Sequence, residues 1–202
     1  MASSPDNLSL GDLTRLLRGL TEGSAPALRV AELALGIARG RVLFRGATIG
    51  RRVYVGPGTR VVDDGEIRIG DRVCVFGGML GSELIAHAGA ALVVGSGCQI
   101  NYGTSIEAHQ RVELGEGCRI GSMVRIADAG RRAAEPVRIG AGVWIAHGCV
   151  IEPGVTIGEG SVVSAGSVVT TSIPEGSLAV GNPARAVKLE MVARPQSQEV
   201  PS

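Results

Sequence analysis

The sequence predicts an all-β solenoid, in which short parallel strands wind as a coil around one narrow apolar core. Two observations predict this fold: a six-residue repeat over much of the chain, and a composition rich in aliphatic residues and glycine but poor in aromatic ones. The 202 residues include 31 Gly but only two Phe, two Tyr and one Trp. Because layered cores use aromatic side chains to fill the space between elements, this composition disfavours a helical bundle, a sandwich or a layered α/β domain.

The clearest repeat covers residues 139–169, where an aliphatic residue opens each sextet. The openers are Ile139, Ile145, Ile151, Ile157, Val163 and Val169. Glycine holds the fourth place of each complete sextet, and a small or β-branched residue holds the fifth. On a triangular coil with one sextet per face, the same position of each sextet points inward on every face. Stacked coils therefore align equivalent sextet positions into columns. We expect the first place to fill the axis and the fourth to form a turn, where glycine tolerates a positive φ.

The spacing of the sextets predicts the shape of the coil. The leading sextets start at Ile49, Ile69, Val94, Leu114, Ile139 and Ile157. Their spacings are 20, 25, 20, 25 and 18 residues, whereas three sextets account for 18. We therefore predict a triangular prism with one sextet per face, in which the extra residues bulge from one corner after the third face.

The two ends lack the repeat and divide the chain into three parts. Residues 1–40 form a predicted helical segment, with leucines at helical intervals from Leu8 to Leu20 and a second helix over residues 26–38. These helices would cap the prism and protect its edge strand; contact with a membrane or a partner is the alternative. Residues 41–180 form the predicted β-helix, and residues 181–202 a short helix with a disordered tail from Ala193.

Charge and hydropathy argue against several classes of protein. The 20 basic and 19 acidic residues leave a net charge of +1, which gives no indication of nucleic acid binding. No apolar run approaches the roughly 20 residues of a membrane span, and the opening residues lack the basic and apolar regions of a signal peptide. Four cysteines in such a chain predict reduced thiols, so we expect a cytoplasmic protein.

Five segments resemble the hexapeptide-repeat acyltransferases, in the branch that includes the maltose, galactoside and xenobiotic acetyltransferases. They are INYGT from Ile100, LGEGCRIG from Leu114, PVRIGAGVWI from Pro136, VTIGEGSVVSAGSVVT from Val155 and VGNPARAVK from Val180. The resemblance implies a left-handed parallel β-helix that forms a homotrimer with active sites between subunits. It also implies direct transfer of an acyl group, by resemblance acetyl, from coenzyme A to a sugar or hydroxylated small metabolite. No metal is expected.

The resemblance implies a neutral histidine as general base and a backbone N–H that stabilises the oxyanion. In the family this histidine lies in the corner loop that corresponds to residues 126–136. The loop of this chain contains no histidine, and the matching place falls near Ala129 or Arg131. Neither side chain acts as a base at neutral pH, so the family's usual arrangement is absent here.

His109, one coil earlier, is the candidate replacement for the missing base, oriented by Glu107, Asp128 or a carbonyl. Glu107 and Asp128 are candidate substrate-binding residues, with solvated corner charges as the alternative. Asn101 matches a polar residue on the acceptor side of the family's site. His109 could equally be a binding residue or an exposed corner histidine, and His87 occupies a comparable corner one coil earlier.

The resemblance also implies a coenzyme A groove. Its predicted lining residues are Trp144, His147, Ala165, Gly166, Thr170, Thr171, Arg185 and Lys188. His147 matches a place along the pantetheine arm, with a surface histidine that fills the subunit groove as the alternative. Arg185 and Lys188 match basic residues near the nucleotide phosphates, with solvated helix charges as their alternative. Trp144 points outward and needs cover from the cofactor or a neighbouring subunit. Arg131 and Arg132 are alternative ligands for a phosphate or an anionic acceptor.

Two other functions stay open at this point. The missing loop histidine favours a binding or scaffold protein that kept the prism and lost the base. The three histidines suit a metal protein like the γ-class carbonic anhydrases, although no two of them are close in sequence. Cys98, Cys118 and Cys149 hold the small fifth place and are predicted to be buried packing thiols.

Overall fold

The computed structural model describes residues 25–130 and 133–189, which form one helix followed by a prism of short strands. Helix α1 runs Ala25–Leu43. The predicted all-β solenoid is confirmed, and so is the helix predicted over residues 26–38, in a longer form. The segment from Leu8 to Leu20, Arg131, Arg132 and the tail from Ala193 lie outside the described residues.

The strands form three sheets, which are the three faces of the prism. The first face holds β1 (Thr48–Ile49), β4 (Glu66–Ile69), β7 (Ala91–Val94), β10 (Arg111–Leu114), β13 (Val137–Ile139) and β16 (Thr156–Ile157). The second face holds β2 (Tyr54–Val55), β5 (Cys74–Val75), β8 (Gln99–Ile100), β11 (Arg119–Ile120), β14 (Trp144–Ile145), β17 (Val162–Val163), β19 (Ser177–Gly181) and β20 (Ala184–Lys188). The third face holds β3 (Arg60–Asp63), β6 (Glu83–Ala86), β9 (Ser105–Ala108), β12 (Arg125–Ala127), β15 (Val150–Ile151) and β18 (Val168–Val169).

The register of the parallel strands stacks the first place of each sextet into an axial column. On the second face, Ile120 pairs with Ile100 on one side and with Ile145 on the other, and all three are buried. At the fourth place, Gly142 and Gly160 have φ values of 65° and 64°. The column of apolar side chains and the glycine turns therefore follow the sextet pattern. Cys98, Cys118 and Cys149 are buried and free, as predicted for packing thiols.

Most of the extra residues of the longer turns lie at one corner, between the third face and the first. The segments at this corner are residues 64–65, 87–90, 109–110 and 128–136. We call this the wide corner. The spacing of the sextets predicts all the extra residues at this corner, and that prediction is wrong for one coil: residues 76–82 form a seven-residue turn between the second and third faces, where the other coils have four residues. The wide corner carries two of the three histidines of the chain.

The short helix predicted after residue 181 is wrong for the part that the structure describes. Strand β20 folds back antiparallel on β19, with Gly181 opposite Ala184. Gly181, the last residue of β19, has a φ of 107°, and Asn182 and Pro183 form the turn that follows it. The last strand of a solenoid face offers unpaired backbone groups, and a returning strand satisfies them. This edge pairing, which local sequence does not encode, replaces the helix.

Helix α1 covers the other end of the second face. It packs on the edge strand β2, close enough that a Cβ at Gly40 would lie 3.0 Å from the carbonyl oxygen of Val53. Arg39 donates a hydrogen bond of 2.9 Å from Nη1 to the carbonyl oxygen of Val55. The helix therefore shields the edge strand, as the predicted cap requires.

Two glycines of one turn give a test of how tightly the coils stack. A Cβ at Gly115 would lie 2.6 Å from the backbone nitrogen of Ala141, whereas Gly117, with a φ of 66°, has no neighbour within 4 Å of such an atom. We expect Gly115→Ala to lower the free energy of unfolding by about 3 kcal/mol, because backbone must move. Gly117→Ala should cost about 1 kcal/mol through its positive φ alone. Equal losses in denaturant unfolding would contradict the tight stacking.

Candidate active site at the wide corner

The wide corner brings two histidines from adjacent coils together. His87 follows β6 and His109 follows β9, and the last residues of these strands, Ala86 and Ala108, are paired in register. The two imidazole rings stack with their centroids 4.0 Å apart and their planes at 19°. The fold thus forms a histidine pair that lies 22 residues apart in the sequence.

Glu107 joins the two histidines. Its Oε1 atom lies 2.8 Å from Nε2 of His87 and 3.1 Å from Nε2 of His109. The hydrogen bond with His87, supported by the one with His109, lowers the pKa of the Glu107 carboxyl. The ionised carboxylate accepts hydrogen bonds, so it favours the tautomer with a proton on Nε2 of each ring and leaves Nδ1 as an acceptor. The role of Glu107 in orienting a catalytic base stays a prediction, which this contact supports.

The cluster lies at the surface of the chain. The side chains of His87, Glu107 and His109 are 40%, 28% and 38% exposed. A solute can therefore reach the imidazole rings, while the backbone below them is fixed in the strands of the third face.

Asp128 lies beneath the cluster. Its side chain is fully buried, and Oδ1 accepts a hydrogen bond of 2.6 Å from the backbone N–H of His109. Oδ2 accepts bonds of 2.7 and 2.5 Å from the backbone N–H groups of Gln110 and Arg111. The structure therefore corrects the predicted substrate contact of Asp128: this carboxylate fixes the backbone of the corner that carries His109.

The place at which the family has its histidine lies next to His109. Ala127 pairs with Glu107 between β12 and β9, so Ala129 follows β12 at the wide corner as His109 follows β9. The resemblance put the missing base near Ala129. His109 and Ala129 therefore lie at the same corner on adjacent coils, and the alternative place at Arg131 lies outside the described residues.

Asn101 and Trp144 lie on the second face, away from the histidine cluster. A cavity of about 250 Å³ there is lined by both residues, together with Phe76, Gln99 and Arg119. The guanidinium carbon of Arg119 lies 5.4 Å from the ring centroid of Trp144, which is 46% exposed. Within one chain, the third face separates this cavity from His109, so the predicted acceptor-side residue and the predicted base do not meet.

The predicted coenzyme A residues divide between two corners and the end of the prism. His147, Ala165 and Gly166 lie between the second and third faces, where Nδ1 of His147 is 2.8 Å from Oγ of Ser122. Thr170 and Thr171 follow β18 and are exposed. Arg185 and Lys188 are exposed on the last strand, β20. Trp144 lines the cavity on the second face, whereas Thr170 lines a different cleft.

Sequence reasoning missed a larger cleft on the third face. Its volume is about 540 Å³, and Arg125, Gly130, Ala133, Glu135, Glu152, Pro153 and Thr170 line it. Of these residues only Thr170 was a predicted site residue. Arg125 and Glu152 occupy outward positions next to the inward Ile126 and Ile151. A search for charged residues at outward positions beside the long loop would have found them.

The comparisons with known proteins agree with this architecture. Residues 136–171 match the family model described as bacterial transferase hexapeptide (six repeats). The chain is similar to this family over strands β13 to β18. No curated protein matches the chain. The resemblance that the sequence motifs indicated is confirmed by the repeat and by the fold.

Several solved structures are similar to the chain. The hexapeptide-repeat-containing acetyltransferase of Vibrio cholerae is 26% identical, with 77% of this chain and 80% of that chain covered and a TM-score of 0.55. A complex of that acetyltransferase with acetyl coenzyme A is 24% identical over 91% of both chains, with a TM-score of 0.53. The polySia-specific acetyltransferase is 20% identical over 76% of this chain and 79% of that chain, with a TM-score of 0.53. The last two likenesses show the fold alone.

The described residues also answer the question of a membrane span. Within residues 25–130 and 133–189, helix α1 is too short or too polar to cross a bilayer, and so no spanning helix is found there.

Proposed function

We propose that the protein transfers an acyl group, by resemblance acetyl, from coenzyme A to a hydroxyl or amine of a sugar or hydroxylated small metabolite. The cluster of His87, Glu107 and His109 carries this proposal, because it supplies an oriented imidazole one coil from the place of the family's base. The similarity to the Vibrio cholerae acetyltransferase supports the reaction class.

His109 acts as the general base in the proposed reaction. Glu107 holds the Nε2–H of His109, so Nδ1 takes the proton from the acceptor hydroxyl or amine as that atom attacks the thioester carbonyl. A backbone N–H stabilises the tetrahedral oxyanion. Collapse breaks the carbon–sulfur bond, forms the new ester or amide, and passes the proton from the imidazolium to the departing thiolate of coenzyme A.

The proposed site forms between copies of the chain in a homotrimer. Asn101, Trp144 and His147 belong to the second face and its far corner, whereas His109 belongs to the wide corner. Packing the corner of one copy beside the face of the next would bring the two sets together, and cyclic assembly repeats this contact three times. Trp144 would then be covered. Light scattering should give three times the chain mass of 20.7 kDa, and a monomer would contradict this arrangement.

Thermal stability in the presence of coenzyme A tests the binding step. At 100 times the Kd, a ligand that binds only the folded state adds about 2.7 kcal/mol of stability, so we expect a clear rise in Tm. Arg185→Glu should reduce this rise, since Arg185 is proposed to pair with a phosphate.

Arg51→Glu is the matched control, because Arg51 is an exposed arginine near the opposite end of the prism, with its side chain 90% exposed. It should keep the full rise in Tm. No rise for the unaltered protein would contradict coenzyme A binding, and equal effects of both variants would contradict the role of Arg185.

A further inference from the structure

We propose that His87, Glu107 and His109 form a binding site for a divalent transition metal ion of the Zn²⁺ class. One ring nitrogen of each histidine and one carboxylate oxygen of Glu107 all lie within 4.8 Å of one another. Imidazole nitrogen and carboxylate oxygen are donors that Zn²⁺ and Co²⁺ accept. Three protein donors leave the fourth position of a tetrahedral ion open to solvent.

The distances within the cluster suit such an ion. Donors at about 2.1 Å from a tetrahedral metal lie about 3.4 Å apart. The carboxylate oxygen already lies 2.8 Å from Nε2 of His87 and 3.1 Å from Nε2 of His109. The stacked rings need only turn to direct both lone pairs at one point, and their partial exposure leaves room for this rotation.

The surroundings of the cluster favour binding over random association on the surface. All three residues follow or belong to strands paired in parallel register, so the donors start from a fixed backbone. Glu107 lies between Ile85 and Ala127 on the neighbouring strands, and both are buried. Asp128 holds the backbone N–H of His109 from below. Supporting contacts of this kind raise metal affinity by holding ligands in place.

The fold therefore brings together a pair of histidine ligands that the sequence alone did not reveal. The histidines of the pair are 22 residues apart in sequence, and the coil places them side by side. The expectation that no metal binds rested on that separation. The two-histidine, one-carboxylate set comes from a single chain and needs no partner subunit.

Metal binding has a consequence for catalysis, and this consequence rests on the proposed function. An ion bound to the cluster withdraws Glu107 from its hydrogen bond with His109 and fixes the imidazole as a ligand. The base then loses its orientation. We expect stoichiometric Zn²⁺ to inhibit acyl transfer and removal of the ion by a chelator to restore it.

Calorimetric titration of chelator-treated full-length protein with Zn²⁺ tests the site, and the visible spectrum of bound Co²⁺ reports the ligand geometry. We expect one ion per chain with a Kd of about 10 μM or lower. His87→Gln, Glu107→Gln and His109→Gln should each weaken binding about tenfold or more. His147→Gln is the matched control, since His147 is the remaining histidine of the chain, and it should leave the affinity unchanged.

Circular dichroism of each variant checks that the fold is kept. Absence of stoichiometric Zn²⁺ binding would overturn the site, and so would binding that survives all three cluster substitutions. Binding without any acyl transfer by the metal-free protein would uphold the metal site and reject the proposed function. Acyl transfer by a protein that binds no Zn²⁺ would uphold the proposed function and reject the metal site.

Discussion

Replacing His109 with glutamine is expected to lower kcat for acetyl transfer by about 100-fold or more, because glutamine keeps the size and polarity of the side chain but cannot take a proton. The KM for acetyl coenzyme A should change little, since the proposed cofactor residues lie elsewhere. The measurement is the release of free thiol from acetyl coenzyme A, with the best acceptor from a panel of hydroxylated sugars.

His87→Gln is the matched control for this experiment. His87 shares the Glu107 carboxylate with His109 and stacks on its ring, so its loss should disturb the site without removing the base. We expect a decrease in kcat of less than about tenfold. An unchanged kcat in His109→Gln would reject His109 as the base, and a larger loss in His87→Gln than in His109→Gln would assign the role to His87.

Replacing Asp128 with alanine should lower the free energy of unfolding by about 3 kcal/mol. The change removes the acceptor of three backbone N–H groups, from His109, Gln110 and Arg111, and an unsatisfied buried donor costs about 1–3 kcal/mol. For a chain of this size we expect Tm to fall by about 10 °C. Asp128→Asn should lower the free energy of unfolding nearly as much, because the NH₂ group of asparagine is itself a donor and cannot accept a hydrogen bond from the backbone N–H groups.

Asp64→Ala gives the control for Asp128, since Asp64 is an exposed carboxylate at the same wide corner. It should change the free energy of unfolding by less than about 0.5 kcal/mol. Circular dichroism during heating measures both variants. Equal stability of the Asp128 and Asp64 variants would contradict the structural role of the buried carboxylate.

The core of the prism could be predicted from the sequence because the repeat specifies it directly. Each aliphatic opener, such as Ile120 or Ile145, needs only its place in the sextet to be put on the axis. The wide corner could be predicted for the same reason, since extra residues between sextets must leave the coil somewhere, but the spacing did not reveal the long turn of residues 76–82 at another corner. These features depend on local spacing, which a single sequence contains.

The site depends on side-chain directions at the bulged corner, which the spacing does not contain. Sequence analysis placed His87 and His109 at comparable corners, but their stacking and their shared hydrogen bonds to Glu107 arise from the register of β6 and β9. The burial of Asp128 could have been found, because it lies two residues after the inward Ile126 and strand alternation turns both to the same side.

Strand β20, at the end of the prism, was missed for another reason. The basic residues of β20 suggested a solvated helix, whereas the edge of the second face, formed by β19, offered pairing partners to the segment that follows it. Such pairing depends on where the solenoid stops. A local pattern in the last residues therefore does not predict it.

A crystal structure of the assembled protein with coenzyme A tests the central claim most directly, namely that His109 stands where the acyl group is transferred. We predict that the cofactor lies in a groove between two copies, with its sulfur within about 6 Å of the His109 ring. A sulfur more than about 8 Å from that ring, or a cofactor bound away from the wide corner, would contradict it.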